Sequence, residues 1–275
     1  MNSAIRDKAI GVFDSGMGGL TVVKSLISLL PNEALVYLGD TARLPYGTKS
    51  ADTVKRYAVQ CARALLRYDI KMLVVACNTA SATALHDLSD ALAPTPVIGV
   101  IDAGADAAVA AAPKGRIAVL ATEGTVRGGA YVRAIHARNP KAQVIQKACP
   151  LFVPLAEEGV TEGKIPELVS NLYLESLLED QANRPECLVL GCTHFPVLRD
   201  VIARVAGPGS VLVDSAATTA IAVQRLLAQT GLARSTASTK APRFLSTDAP
   251  ERFARVGGIF LGEDIAPESV ELVDL

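Results

Sequence analysis

Met72-Leu-Val-Val-Ala-Cys-Asn-Thr79 and Leu188-Val-Leu-Gly-Cys-Thr-His194 decide how this chain is read. Each is an aliphatic run that stops at a cysteine and continues in hydroxyl, amide or imidazole side chains. A short continuous apolar run reads as a strand buried on both faces, and its abrupt polar end as the open end of that strand. Each segment would then deliver a thiol to the sheet edge where ligands collect in α/β folds. One such thiol suggests a nucleophile. Two equivalent thiols, at 77 and 192, suggest proton-transfer groups that face one substrate from opposite sides.

Outward from these segments, apolar runs alternate with amphipathic stretches along the chain. Strands are expected at 9–13, 34–39, 72–76, 97–100, 116–120, 143–147, 187–191 and 211–213, and helices over 19–30, 51–68, 81–92 and 166–179. Strand–helix repetition with non-alternating strands predicts an α/β fold of parallel-rich sheets flanked by helices. The strands exceed one comfortable sheet, and the strand–cysteine–threonine pattern occurs once in each half. Two similar α/β domains facing each other across an active-site cleft are therefore expected. The small polar stretch 231–242 is expected to be a surface loop. The tail beyond it is expected to hold one strand piece, 243–245, and one short helix.

At 275 residues the chain is long enough for two compact units. A composition half hydrophobic and one-fifth charged is that of a globular protein. With 27 basic and 28 acidic residues, net charge −1, there is no electrostatic footprint for nucleic acid or an acidic membrane. Residues 1–8 lack a signal-peptide core, and no apolar run approaches the ~20 residues of a bilayer span. The alanine-rich run 103–112 contains Asp106 and reads as a helix of a soluble domain. The cysteines at 61, 77, 149, 187 and 192 are odd in number and scattered, which argues against a disulfide framework and for a reducing cytoplasm.

Asp14 ends the first strand and is followed by Ser15-Gly-Met-Gly-Gly-Leu-Thr21. A strand, an acid and a glycine-rich turn opening a helix make a place where backbone N–H groups can face an anion. The lysine of a nucleotide loop is absent and the GxGxxG spacing is not met. A tight turn with Ser15 capping the helix is an equal alternative. The segment Gly39–Thr48 combines turn formers with polar side chains and could close over a ligand, or be only a loop. Cys61, Cys149 and Cys187 read as buried packing. Cys77 and Cys192 differ because polar residues follow them. Cys192 and His194 could be two metal ligands, but a zinc site needs three or four and His86 and His136 stand alone, so no metal is expected. A proton partner suits His194 better. Glu157 and Glu158 read locally as a helix start with two solvated acids.

Five segments stand in order: Gly11–Thr21, Gly39–Thr48, Ala76-Cys-Asn-Thr-Ala80, Pro150-Leu-Phe-Val-Pro-Leu155 and Gly191-Cys-Thr-His-Phe-Pro196. Over about residues 9–215 the chain closely resembles the glutamate racemases of the aspartate/glutamate racemase family, cofactor-independent isomerases of bacterial cell-wall synthesis. The resemblance implies a first domain of 1–98 completed by 212–275, and an inserted second domain of 99–211. It implies Cys77 and Cys192 as catalytic cysteines, assisted by Asp14, Glu157 and His194. Substrate would be held by Asp14, Ser15, Pro45, Tyr46, Gly47, Asn78, Thr79, Thr193 and His194. The segment Ala121-Thr-Glu-Gly-Thr-Val-Arg-Gly128 departs from the family's Gly-Thr-x-x-Thr but keeps Thr122 and Thr125 as ligand contacts. Also implied are glutamate as the small-molecule substrate, no cofactor, no nucleic-acid or membrane partner, a cytoplasmic setting and a homodimer.

Inverting an α-carbon requires a proton removed from one face and another delivered to the opposite face. One cysteine is then thiolate and the other thiol, with roles that exchange with direction. A free thiol has a pKa of about 8.5, so a small shift populates thiolate near neutrality. Asp14 is expected to serve Cys77, and His194 with Glu157 to serve Cys192. Asn78, Thr79 and Thr193 are expected donors to an enolate-like carboxylate in a dry cleft, with the Pro45-Tyr46-Gly47 turn helping to close it. No lysine stands at either cysteine-bearing strand end, which favours cofactor independence. An aspartate racemase or other two-cysteine racemase, and a non-catalytic anion-binding protein, remain as alternatives.

Overall fold

The computed structural model describes residues 3–180, 182–236, 238 and 241–275. Part of the expected 231–242 loop (Ala237, Thr239 and Lys240) lies outside the described residues, as do Met1 and Asn2 of the leader reading. The described strands are β1 Ala9–Asp14, β2 Leu35–Gly39, β3 Ile70–Val75, β4 Val97–Gly99, β5 Arg116–Ala121, β6 Gln143–Ala148, β7 Cys187–Gly191, β8 Val211–Asp214, β9 Arg243–Ser246 and β10 Val270–Leu272. The helices are α1 Ser3–Arg6, α2 Leu20–Leu29, α3 Ala51–Leu66, α4 Asn78–Leu92, α5 Ile101–Ala111, α6 Glu123–Gly128, α7 Ala130–Arg138, α8 Phe152–Glu157, α9 Lys164–Leu178, α10 Arg199–Ala206, α11 Ser215–Thr230 and α12 Pro250–Leu261.

The chain is α/β, with two sheets flanked by helices. One is six-stranded in the order β10-β9-β2-β1-β3-β4, and the other is four-stranded in the order β6-β5-β7-β8. Every pairing is parallel. The sequence dictates this, because β7 and, apart from Lys71, β3 carry no polar side chain, and both are buried at every position. Only a parallel sheet covered on both faces buries such a strand. On the larger sheet α3 packs with α4, and α2 packs with α11 and α12. Helix α11 also packs on α5, so it joins the lobe of one sheet to the lobe of the other.

The tail differs from the sequence expectation. Instead of one short helix it holds the 12-residue α12 and a further strand, β10, which pairs with β9. Pro250 and Gly257-Gly258 look like helix breakers but act otherwise. The proline stands in the first turn, where its missing N–H costs nothing. Gly257 lets α12 approach α2 so closely that a Cβ there would lie 2.8 Å from Leu20 Cδ1. Helices α10 and α11 were also absent from the sequence reading. Among the described residues no helix is long and apolar enough to cross a membrane.

Candidate active site

Both thiols stand at carboxyl ends of strands, as the aliphatic runs required. Cys77 follows β3 and Cys192 follows β7, one on each sheet. Beside Cys77 on the larger sheet lies the end of β1 with Asp14; beside Cys192 on the smaller one lies the end of β5 with Thr122. Cys77 and Cys192 are 5 % and 6 % exposed. They are close enough that a charge on Cys192 raises the pKa of Cys77.

The glycine-rich turn after β1 folds back on its own acid. The fully buried Asp14 carboxylate accepts the Gly16 N–H at 3.1 Å and is also bonded by the Gly19 backbone. Helix α2 starts without a side-chain cap, so Ser15 is not the cap that the turn reading offered. Ser15 Oγ instead accepts from Cys77 Sγ at 3.5 Å. Cys77 is itself the N-cap of α4, its sulfur taking the Ala80 N–H at 3.4 Å. Burial raises the Asp14 carboxyl above its ordinary range, against the pull of the His194 charge and the turn amides. Burial, and then the Asp14 charge, push the Cys77 thiol up to about 12. In this environment Cys77 rests as the thiol.

Cys192 stands in different company. Its sulfur lies 3.8 Å from His194 Nδ1, whose Nε2 is 3.1 Å from Glu157 Oε1. The other carboxylate oxygen of Glu157 accepts from Arg252 at 2.8 Å. Burial opposes charge on His194, but the bonds to Cys192 and Glu157 and the charges of Cys192 and Asp14 outweigh it and raise its pKa to about 10. Burial likewise works against ionised Glu157, and His194 and Arg252 overcome it, holding that carboxyl below its ordinary range. Glu157 ends α8 rather than starting a helix, and it points inward while Glu158 is exposed. That corrects the local reading of two solvated acids.

The raised His194 has a measurable consequence. Its folded pKa lies above its ordinary value of 6.5, so its charged contacts stabilise the fold fully below about 6.5. That contribution is lost as pH rises to about 10. The melting-temperature gap between the wild type and His194→Gln is expected to shrink across this window; a constant gap contradicts the charged imidazole.

Thr193 ties the two groups together. Its hydroxyl donates to Asp14 Oδ1 at 3.4 Å and lies 3.4 Å from His194 Nδ1, while Thr21 donates to its carbonyl at 3.2 Å. Asp14 therefore has a link toward each thiol: it accepts from Thr193, the neighbour of Cys192, and its charge acts on Cys77.

Three threonine hydroxyls bridge the lobes. Thr79 Oγ1 is 2.9 Å from Thr122 and 3.2 Å from Thr125, which are 3.0 Å from each other. Thr122 also caps α6 despite the altered residue before it. Asn78 Oδ1 accepts from Tyr131 at 2.8 Å and its Nδ2 faces Ser215 at 3.4 Å, which directs the amide's donor end. The buried Tyr46 phenol bonds Asp40, which is also held by Arg43 and Thr247, and its ring packs against Phe13 and Tyr57. Gly47 packs against Thr122, where a Cβ would lie 2.8 Å from Thr122 Cβ. Pro45 and Gly47 line a cavity of about 170 Å³ with Thr122 and Pro150. A second groove, about 680 Å³, runs along the lobe boundary past Lys49, Lys55, Thr79 and Arg127.

The sequence reading missed Tyr131, Ser215, Arg252 and Phe260, whose ring meets His194 edge-on at 4.9 Å. None carries a local signal. Each lies in an ordinary helical context and reaches the site only through the fold.

The fold is a two-lobed α/β scaffold that sets one buried thiol at a strand end of each sheet. The chain matches the Asp/Glu/Hydantoin racemase family over residues 10–224, and it belongs to that family. It is 50 % identical over 255 residues to the glutamate racemase of Geobacter metallireducens, covering 93 % of each chain. It is 45 % identical over 275 residues to that of Neisseria meningitidis, covering all of each. The structure superposes on the Francisella tularensis glutamate racemase in complex with D-glutamate with a TM-score of 0.89, at 38 % identity over 98 % of each chain.

Proposed function

We propose that this chain is a cofactor-independent glutamate racemase, in which Cys77 and Cys192 exchange protons with the two faces of the glutamate α-carbon. The observation that carries the reading is the unequal surroundings of the two thiols. Cys77 is kept protonated beside Asp14, while Cys192 lies against a cationic histidine. One sulfur is ready to give a proton when the other takes one, as a two-base inversion requires.

The α-proton of a zwitterion is weakly acidic, so developing charge on the carboxylate needs fixed donors. The ring of Thr79, Thr122 and Thr125 hydroxyls supplies protons that, without ligand, satisfy one another. An entering carboxylate would take them over, together with the oriented Asn78 amide. Thr193 already donates to Asp14, so its role is to place that acid more than to bind substrate. Lys49, Lys55 and Arg127 along the boundary groove would draw a substrate with two carboxylates and a net negative charge toward Thr79. Thiols this buried admit an amino acid only when the lobes part, and closure then dries the site. Sheet membership supports a first lobe of about 1–98 with 212–275 around an inserted 99–211, with β8 carrying the second sheet on to Asp214. The product fits a supply of D-glutamate to peptidoglycan in the cytoplasm, which is where the resemblance to glutamate racemases points.

Polarimetry with no added cofactor tests the proposal. The optical rotation of L- or D-glutamate is expected to decay to zero while that of L-aspartate persists. Decay of aspartate alone would favour the aspartate enzyme, and no decay of either would overturn the racemase reading.

A further inference from the structure

We propose that Arg252 is a positioning residue for the acid–base group of Cys192, holding Glu157 across the lobe boundary so that one carboxylate oxygen faces His194. The inference rests on the two-thiol reading for its mechanistic meaning, and on geometry for its content. Arg252 belongs to α12, which lies between β9 and β10 of the six-stranded sheet, whereas Glu157 ends α8 in the lobe of the four-stranded sheet. The carboxylate is divided between them: Oε2 accepts from Arg252 at 2.8 Å and Oε1 meets His194 Nε2 at 3.1 Å. A carboxylate anchored at one oxygen cannot rotate its other oxygen away from the imidazole. The same helix supplies Phe260 against the His194 ring, and a Cβ on Gly159, just after α8, would lie 3.4 Å from Ile259. The seam between α8 and α12 thus builds one wall of the Cys192 site.

The charged or titratable groups facing His194 are Asp14 from β1, Cys192 beyond β7 and Glu157 from α8, while α12 presents Phe260. The Arg252 side chain is 39 % exposed, so its own field at the imidazole is screened by solvent. The carboxylate at 3.1 Å is more shielded, with 13 % of its side chain exposed, and acts at close range. Losing Arg252 therefore acts on His194 chiefly by releasing Glu157. Because Glu157 and Arg252 come from opposite lobes, the complete chain Arg252–Glu157–His194–Cys192 exists only when the lobes are together.

The test is an NMR titration of the His194 imidazole in ligand-free Arg252→Ala and Arg252→Lys proteins, with steady-state kinetics on glutamate alongside. In Arg252→Ala the His194 midpoint is expected to fall by about one unit, and kcat by roughly tenfold with little change in KM. Arg252→Lys, which keeps a cation at the carboxylate, should recover most of both. A His194 midpoint that stays put or rises in Arg252→Ala overturns the proposal, whatever happens to activity. A wild-type protein that does not turn over glutamate would defeat the racemase reading instead. The titration would still decide the role of Arg252.

Discussion

Cys77→Ser and Cys192→Ser are each expected to lower kcat/KM for glutamate racemisation by roughly a thousandfold, the scale of a lost general acid or base. A serine hydroxyl has almost no anionic form near neutrality, whereas a free thiol titrates at about 8.5. The loss cannot be assigned to misfolding. Cys77 is the N-cap of α4, and serine is a better cap than cysteine. A Cys192→Ser hydroxyl would still face His194 Nδ1. The two enantiomers have equal free energy, so kcat/KM must fall by the same factor in both directions in either variant. Any asymmetry between the thiols then shows only in how kcat and KM divide that fall. Full activity in either single variant contradicts the paired-thiol account.

Gly18→Ala is the second large effect expected, about a hundredfold loss of kcat/KM. A Cβ at Gly18 would lie 2.6 Å from Thr193 Oγ1, 2.7 Å from His194 Cε1 and nearer still to His194 Nδ1. Such contacts force something to move. The imidazole is boxed in by Phe260 and Glu157, and Thr193 is held by Thr21 and Asp14, so the displacement falls on the proton partners themselves. A misplacement of ~1 Å near reacting groups costs on the order of 10²-fold. Gly128→Ala serves as the comparison, since its new methyl would meet nothing closer than Ala82 Cβ at 3.5 Å. Kinetics and melting temperature of both variants decide the matter. Equal activity in the two would show that the approach of the β1 turn to His194 is unimportant.

The parallel sheets and both thiols were legible because a strand buried on two faces writes itself as an unbroken aliphatic run, and its end as the first polar residue. Asp14, the Gly-rich turn and His194 were legible for the same reason, since each adjoins such an end. The long α12 was not, because proline and paired glycines read as breakers until packing on α2 explains them. Glu157 read locally as a solvated acid; its inward turn depends on His194 and on Arg252, 95 residues away in sequence. Tyr131 and Ser215 orient Asn78 from α7 and α11, across separations of 53 and 137 residues. No local pattern encodes partners of that kind. The closed ring of threonine hydroxyls was half legible: each residue was named, but not that the three bond one another.

The most direct test of the two-thiol mechanism is where solvent deuterium appears during the first turnovers in D₂O. Starting from one glutamate enantiomer, the account predicts that each newly inverted molecule carries deuterium at Cα while the unreacted enantiomer keeps its protium. Product that retains the original protium, or starting enantiomer that gains deuterium ahead of inversion, would point to a single base and contradict it.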